Sequence, residues 1–148
     1  MNLSPNFTLD ELTFSQTALR LGLPNIPTPP IAANLANLAL TLLEPVRSLL
    51  GVPIHIDSGY RCYALNHLIG GAPDSAHLQG LAADMIPIGM DLQTAFRAIR
   101  GSSLPFDQLI IECNAWIHIA LPEPGIAPRG ECLLASGSPG DWTYTQAP

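Results

Sequence analysis

With 148 residues, 47% of them hydrophobic and 12% charged, the chain has the apolar content of one compact domain and too little charge for a disordered one. All six basic residues are arginines and the formal net charge is −6, which leaves no broad positive surface for a phosphate backbone and sets nucleic acid aside as a partner. The opening MNLSPNFTLDEL lacks the positive start and apolar stretch of a secretory signal, and no segment reaches the roughly 18 apolar residues of a membrane span. A protein made in the cytoplasm without a signal peptide is therefore expected, with export by another route, such as cell lysis, left open.

Thr8 and Glu11 form a Thr-x-x-Glu capping box that predicts a helix over 9–21, stopped by Gly22 and Pro24. Beyond the proline-rich PNIPTPP, Leu35, Leu38, Leu42, Val46 and Leu49 recur at helical spacing, while Asn34, Asn37, Thr41 and Ser48 fall on the other side. This predicts a helix over 32–50 that Pro45 should kink or split. Residues 52–56 read as a strand, placed at a sheet edge by Pro53, and 63–68 as a short helix before the loop GGAPDSAH. Residues 82–86 read as a strand and 91–99 as a helix with Asp91 as its N-cap. Residues 109–112 and 116–120 have the spacing of a hairpin around Cys113, Asn114 and Ala115, and 132–135 would add an edge strand. The tail from about 137 is expected to be irregular. Helices first and a small, mainly antiparallel sheet afterwards define one α+β domain over 1–148, for which a monomer is the expected state.

Cys62, Cys113 and Cys132 lie far apart with no CxxC pair, so neither a disulfide framework nor a cysteine-rich zinc site is indicated. They are expected to be small buried core residues.

Chemistry concentrates in Ser75-Ala-His77-Leu-Gln-Gly80-Leu-Ala82-Ala-Asp84, where an imidazole and a carboxylate stand seven residues apart with glycine and small residues between. Zinc accepts both ligand types, and a catalytic site needs three protein ligands and one open position. His118 is the natural third ligand. On the alternating strand Trp116-Ile117-His118-Ile119 it shares a face with Trp116, opposite the two isoleucines. Taken singly, a strand histidine is more often a hydrogen-bonded core residue, a loop histidine is unremarkable, and an aspartate at such a place often caps a turn. His55 reads as an outward strand residue and His67 as a helix-surface residue. Cys113 could ligate zinc, but the His/Asp/His set makes that unnecessary.

Taken whole, Ser-x-His-x-x-Gly-x-Ala-x-Asp followed by Trp-x-His resembles the zinc D-alanyl-D-alanine carboxypeptidase family, which also includes phage L-alanyl-D-glutamate endopeptidases. SGYR over 58–61 with Asn66 matches a further family element, and FTLDELTFSQTALRLGLPNIP resembles the start of phage-associated members. The resemblance spans roughly residues 7 to 120. It implies that one Zn2+ is held by His77, Asp84 and His118, and that the substrate is the stem peptide of bacterial peptidoglycan. It further implies that Arg61 anchors a carboxylate or carbonyl of that peptide, a task suited to a bidentate guanidinium. Ser75 and Trp116 are further candidates for binding the substrate, with Ser75 alternatively bonding a ligand or capping its loop.

One position departs from the family pattern. Many members place a Glu or Asp three residues before the last ligand, and Ala115 stands there. Glu112, which a hairpin turn could fold back toward His118, is the candidate general base, as in the similar Gln-Leu-Ile-x-Glu run of the phage-type branch. Asp107 is the reserve, as base or as a partner orienting a ligand histidine. Three readings are open: a peptidase of carboxypeptidase or endopeptidase type, a non-catalytic zinc-containing module that binds peptidoglycan or serves a phage particle, and a purely structural zinc site. The third lacks the fourth ligand such sites usually have.

Overall fold

A computed structural model describes residues 1–148. Local caps decide where its N-terminal helices begin and end. Thr8 Oγ1 accepts from Glu11 N at 3.1 Å and opens α1 (Leu9–Thr13), but the single helix expected over 9–21 is two. Ser15 is extended and its hydroxyl caps Ala18 N, so the chain restarts as α2 (Gln16–Leu21). A serine that bonds the backbone ahead of it competes with helix continuation, which explains the break.

The helix expected over 32–50 begins earlier, with prolines in the first turn of α3 (Pro29–Leu38), where no N–H is needed. It passes through a π-helical turn (Ala39–Leu43) into α4 (Glu44–Leu50). Glu44 N bonds Ala39 O, so the widened turn just ahead of Pro45 takes up the missing donor that would otherwise break the helix. The extra residue also rotates α4 relative to α3. Leu35, Leu38, Leu42 and Val46 are fully buried as expected, but Leu49 is 45% exposed and Leu43 and Leu50 are buried in its stead.

Six strands form one sheet in the order β1-β2-β4-β3-β5-β6. They are β1 (Ile54–Ser58), β2 (Ala82–Pro87), β3 (Gln108–Glu112), β4 (Trp116–Ala120), β5 (Glu131–Ser138) and β6 (Asp141–Gln146). Every pairing is antiparallel except β3 with β5, so the α+β expectation holds and β1 is an edge strand. The remaining helices are α5 (Tyr63–Leu68) and α6 (Leu92–Arg100), and Asp91 Oδ1 caps the latter through Thr94 N at 3.0 Å.

Two expectations about the C-terminal half are corrected. The tail is not irregular, because β5 and β6 form a hairpin through Ser138 and Asp141, and 132–135 belong to a strand inside the sheet rather than at its edge. The aromatic and threonine alternation of Trp142 to Thr145 suits a pleated strand, but it lacks the apolar face by which a strand is usually recognised. The cysteines fit the expectation of buried core residues only in part: Cys62 and Cys132 pack against the core without being fully buried, and Cys113 lies outside it. All three are free, with Cys113 exposed.

The sheet divides the molecule. Ala83, Met85, Leu109, Ile111, Ile117 and Ile119 face the helices and join one apolar core with Leu35, Leu38, Leu42 and Phe96, each large side chain contributing about 1.5–3 kcal/mol by burial. The opposite face carries the polar residues. Gly59 joins the two halves of the fold: an added Cβ there would meet the Leu12 carbonyl oxygen at 2.2 Å, while Tyr60 N donates to that oxygen at 2.7 Å. Gly59→Ala should therefore cost about 1–3 kcal/mol by overpacking, which thermal denaturation would register as a Tm lower by about 2–12 °C. An unchanged Tm would show that the contact relaxes without cost.

Candidate active site

Three elements bring the predicted ligands together. His77 sits on a 3-10 turn (Ala76–Gln79) capped by Ser75, whose Oγ accepts from His77 N at 3.4 Å. Gly80 ends that turn at φ +67, with the Ile31 carbonyl oxygen 2.9 Å from where a Cβ would stand, so only glycine suits the position. Asp84 and His118 are direct partners on antiparallel β2 and β4, which puts both side chains on the polar face. All three residues are buried.

His77 Nε2 lies 3.2 Å from Asp84 Oδ1 and 3.2 Å from His118 Nδ1, and His118 Nδ1 lies 3.0 Å from Asp84 Oδ1. A tetrahedral zinc with ~2.0–2.1 Å bonds needs ligand atoms roughly 3.3 Å apart, so the trio has nearly the required spacing. His77 Nδ1 donates to the Gly59 carbonyl at 2.6 Å, which fixes the ring and directs Nε2 toward the other two, the usual support for a metal-binding imidazole. Burial, the largest influence, lowers the His77 pKa despite the pull of Asp84, which favours the neutral ring a metal requires. Burial works against ionising Asp84, yet His77 and His118 outweigh it and hold the carboxyl far below its ordinary range.

Arg61 lies beside the ligands. Its Nη2 donates to Asp84 Oδ2 at 2.8 Å, its Nε to Ser58 Oγ at 3.0 Å, and its Nη1 reaches Asn66 Oδ1 at 3.5 Å. The guanidinium is thus committed to the chain's own carboxylate. A shift of register between Ile56 and Ser58 brings Ser58 opposite Asp84, the kind of local irregularity that re-aims a side chain.

Glu112 pairs with Trp116 across the β3–β4 hairpin, and His118 pairs with Ile110, so Glu112 is the diagonal neighbour of His118 on the polar face. Cys113 and Asn114, at φ 49 and 53, make the tight turn, closed by Ala115 N donating to Glu112 O at 2.9 Å. Trp116 Nε1 donates to Glu112 Oε2 at 2.9 Å. Burial, helped by the nearby Asp84 carboxylate, raises the Glu112 pKa above its ordinary value. Asp107 is not brought to the ligands. It forms a two-pronged ion pair with Arg129, with contacts of 2.6–3.1 Å, and that hydrogen bonding, against a smaller effect of burial, lowers its pKa.

A cleft of about 760 Å³ opens over the trio, with Arg61, Ser75, Glu112 and Trp116 in its walls and Asp107 outside them. Trp142 and Tyr144 of β6 also line it. Sequence reasoning missed both because their strand was read as irregular; the alternation of aromatic residues with threonine was the available signal.

The model of the peptidase M15 family matches residues 5–120. The chain belongs to this family. No curated protein matches it. M15 membership brings a zinc-dependent peptidase activity directed at peptidoglycan at the level of the family, and His77, Asp84 and His118 form a group that could hold the ion. The matched span of this M15 chain ends with β4; the cleft walls contributed by β5 and β6 lie beyond it.

Removing Arg61 should leave Asp84 Oδ2 without its cation and loosen the ligand. Arg61→Ala is expected to weaken zinc affinity by about 10- to 100-fold, measured by competition with a chelating dye, whereas Asp107→Asn should bind zinc as the parent does. Equal loss in both variants would refute the difference in placement.

Proposed function

We propose that this chain is a zinc peptidase that cuts an amide bond inside the stem peptide of bacterial peptidoglycan, rather than trimming a terminal D-alanine. The observation that carries the hydrolytic reading is the placement of Glu112 on the cleft face, diagonal to His118. Zinc bound by His77, Asp84 and His118 supplies the polarisation of the scissile carbonyl and of the attacking water. Glu112 accepts the proton from that water and returns it to the leaving amine nitrogen. Because Trp116 holds Oε2, Oε1 is the oxygen free for this transfer. Arg61 acts by holding Asp84 Oδ2, so that Oδ1 stays turned toward His77 and His118. Ser75 sets the turn that carries His77.

The choice of an internal bond rests on charge. A carboxypeptidase needs a cation for the terminal carboxylate of its substrate, but five carboxylates and two arginines line the cleft. Both arginines are engaged, Arg61 by Asp84 and Arg129 by Asp107 and Glu131. A chain terminus would meet repulsion where an uncharged stretch of peptide would not. The alternative of a non-hydrolytic peptidoglycan-binding module draws on Ala115, which is exposed on the β3–β4 turn and brings no carboxylate to the site.

Glu112→Gln is expected to lower kcat by about 10²- to 10⁴-fold while zinc content stays that of the parent. Treatment of the parent with chelator should stop the release of new amine termini from purified cell wall, and mass spectrometry should find cuts within the stem. Full activity of Glu112→Gln would remove the assigned base, and free D-alanine as sole product would overturn the internal cut. Zinc and wall binding with no new termini would favour the module.

A further inference from the structure

The cleft has a second wall that the family match does not cover. In β-sheet register, Trp116 stands opposite Glu112, Glu112 opposite Ala135, and Ala135 opposite Tyr144. This row crosses four strands on the polar face, one step along from the row that holds Asp84 and His118. Ala135 is small and buried, so the residue between Glu112 and Tyr144 in this row contributes only a methyl group, and the two backbones lie two strand spacings of about 4.8 Å apart. Tyr144 is 50% exposed and lines the cleft. Glu112 and Asp84 both act on it electrostatically, after burial, to raise its pKa, so the hydroxyl keeps its proton at neutral pH and can donate.

The hairpin is also braced at its tip. A Cβ on Gly70 would lie 2.9 Å from Gly140 N and 2.9 Å from Pro139 Cβ, so the β5–β6 turn rests on the loop after α5, on the far side of the cleft. Four other donors of the cleft are engaged within the chain, Arg61 Nη2 by Asp84, Trp116 by Glu112, Gln108 by Glu131 and Arg129 by Asp107, while Trp142 Nε1, on the same wall as Tyr144, has no partner within the chain. A peptide strand lying in a cleft rich in carboxylates can satisfy its N–H groups, but its carbonyls need donors. The Tyr144 hydroxyl is free to be one.

We infer that the C-terminal hairpin is a substrate wall and that the Tyr144 hydroxyl donates a hydrogen bond to a backbone carbonyl of the bound peptide beside Glu112. This rests on the reading of the chain as a peptidoglycan peptidase. Losing one such bond should weaken peptide binding about 3- to 10-fold.

The test is calorimetric titration of a synthetic stem pentapeptide, amidated at its C-terminus and with its backbone N–H groups intact, into zinc-loaded protein carrying Glu112→Gln, which is expected to keep the metal but cut too slowly to consume the peptide and which serves as the parent for this comparison. Tyr144→Phe keeps the ring, so the strand should fold, and its Kd should rise about 3- to 10-fold with zinc content unchanged. Thr145→Val, a neighbour whose side chain alternates to the opposite face of the same strand, should bind within about twofold of the parent. Binding by Tyr144→Phe within about twofold of a parent that does bind, or an equal loss in Thr145→Val, overturns the role of Tyr144 alone. A parent that holds zinc yet binds no stem peptide overturns the peptidoglycan reading, and this inference with it.

Discussion

The Asp84 carboxylate organises the functional half of the molecule by dividing its two oxygens. Oδ1 faces His77 and His118, and Oδ2 accepts from Arg61. A buried carboxylate is tolerated only where charge and hydrogen bonds compensate its lost hydration. Here the compensation comes from two imidazoles and a guanidinium, each from a different element. With zinc in place the positive charge at Oδ1 would come from the metal, while Arg61 would still satisfy Oδ2. The same arrangement ties the Nη2 arm of Arg61 to Asp84, since releasing that arm would leave half of the carboxylate buried and unpaired.

Around that carboxylate, the sheet separates stability from chemistry. Alternation along β2, β3 and β4 sends Met85, Ile111, Ile117 and Ile119 into the helical layer and Asp84, Glu112 and His118 into the cleft. A register slip of one residue would exchange the two sets, so the apolar core that holds the helices to the sheet also fixes which side chains face the metal site. Gly59 ties these layers together. It presses against Leu12 on one side and presents its carbonyl to His77 Nδ1 on the other, so the N-terminal helices help hold the first ligand in position.

The C-terminal hairpin extends the polar face beyond the strands that carry the ligands. Because β5 runs parallel to β3, β6 returns along the same face and places Trp142 and Tyr144 over the cleft. The ligands and Glu112 lie within the residues that the family model matches, and the opposing wall lies beyond them.

Much of the site was readable from the residues themselves. Histidine and aspartate seven apart with glycine between them, and a histidine alternating with isoleucines, state a local chemistry that depends on ligand type and strand period. The capping residues Thr8 and Asp91, the β3–β4 hairpin and the edge position of β1 were legible for the same reason: each depends on neighbours in sequence. What tertiary structure alone decided involves partners far apart. The commitment of Arg61 to Asp84 spans 23 positions, and the diversion of Asp107 to Arg129 spans 22. The π turn that moved Leu49 outward answered packing as well as Pro45, and the tail became β6 because β5 offered it an edge. Local pattern names the groups that can do chemistry; only the fold determines which of them meet, because charge compensation and strand pairing act across space rather than along the chain.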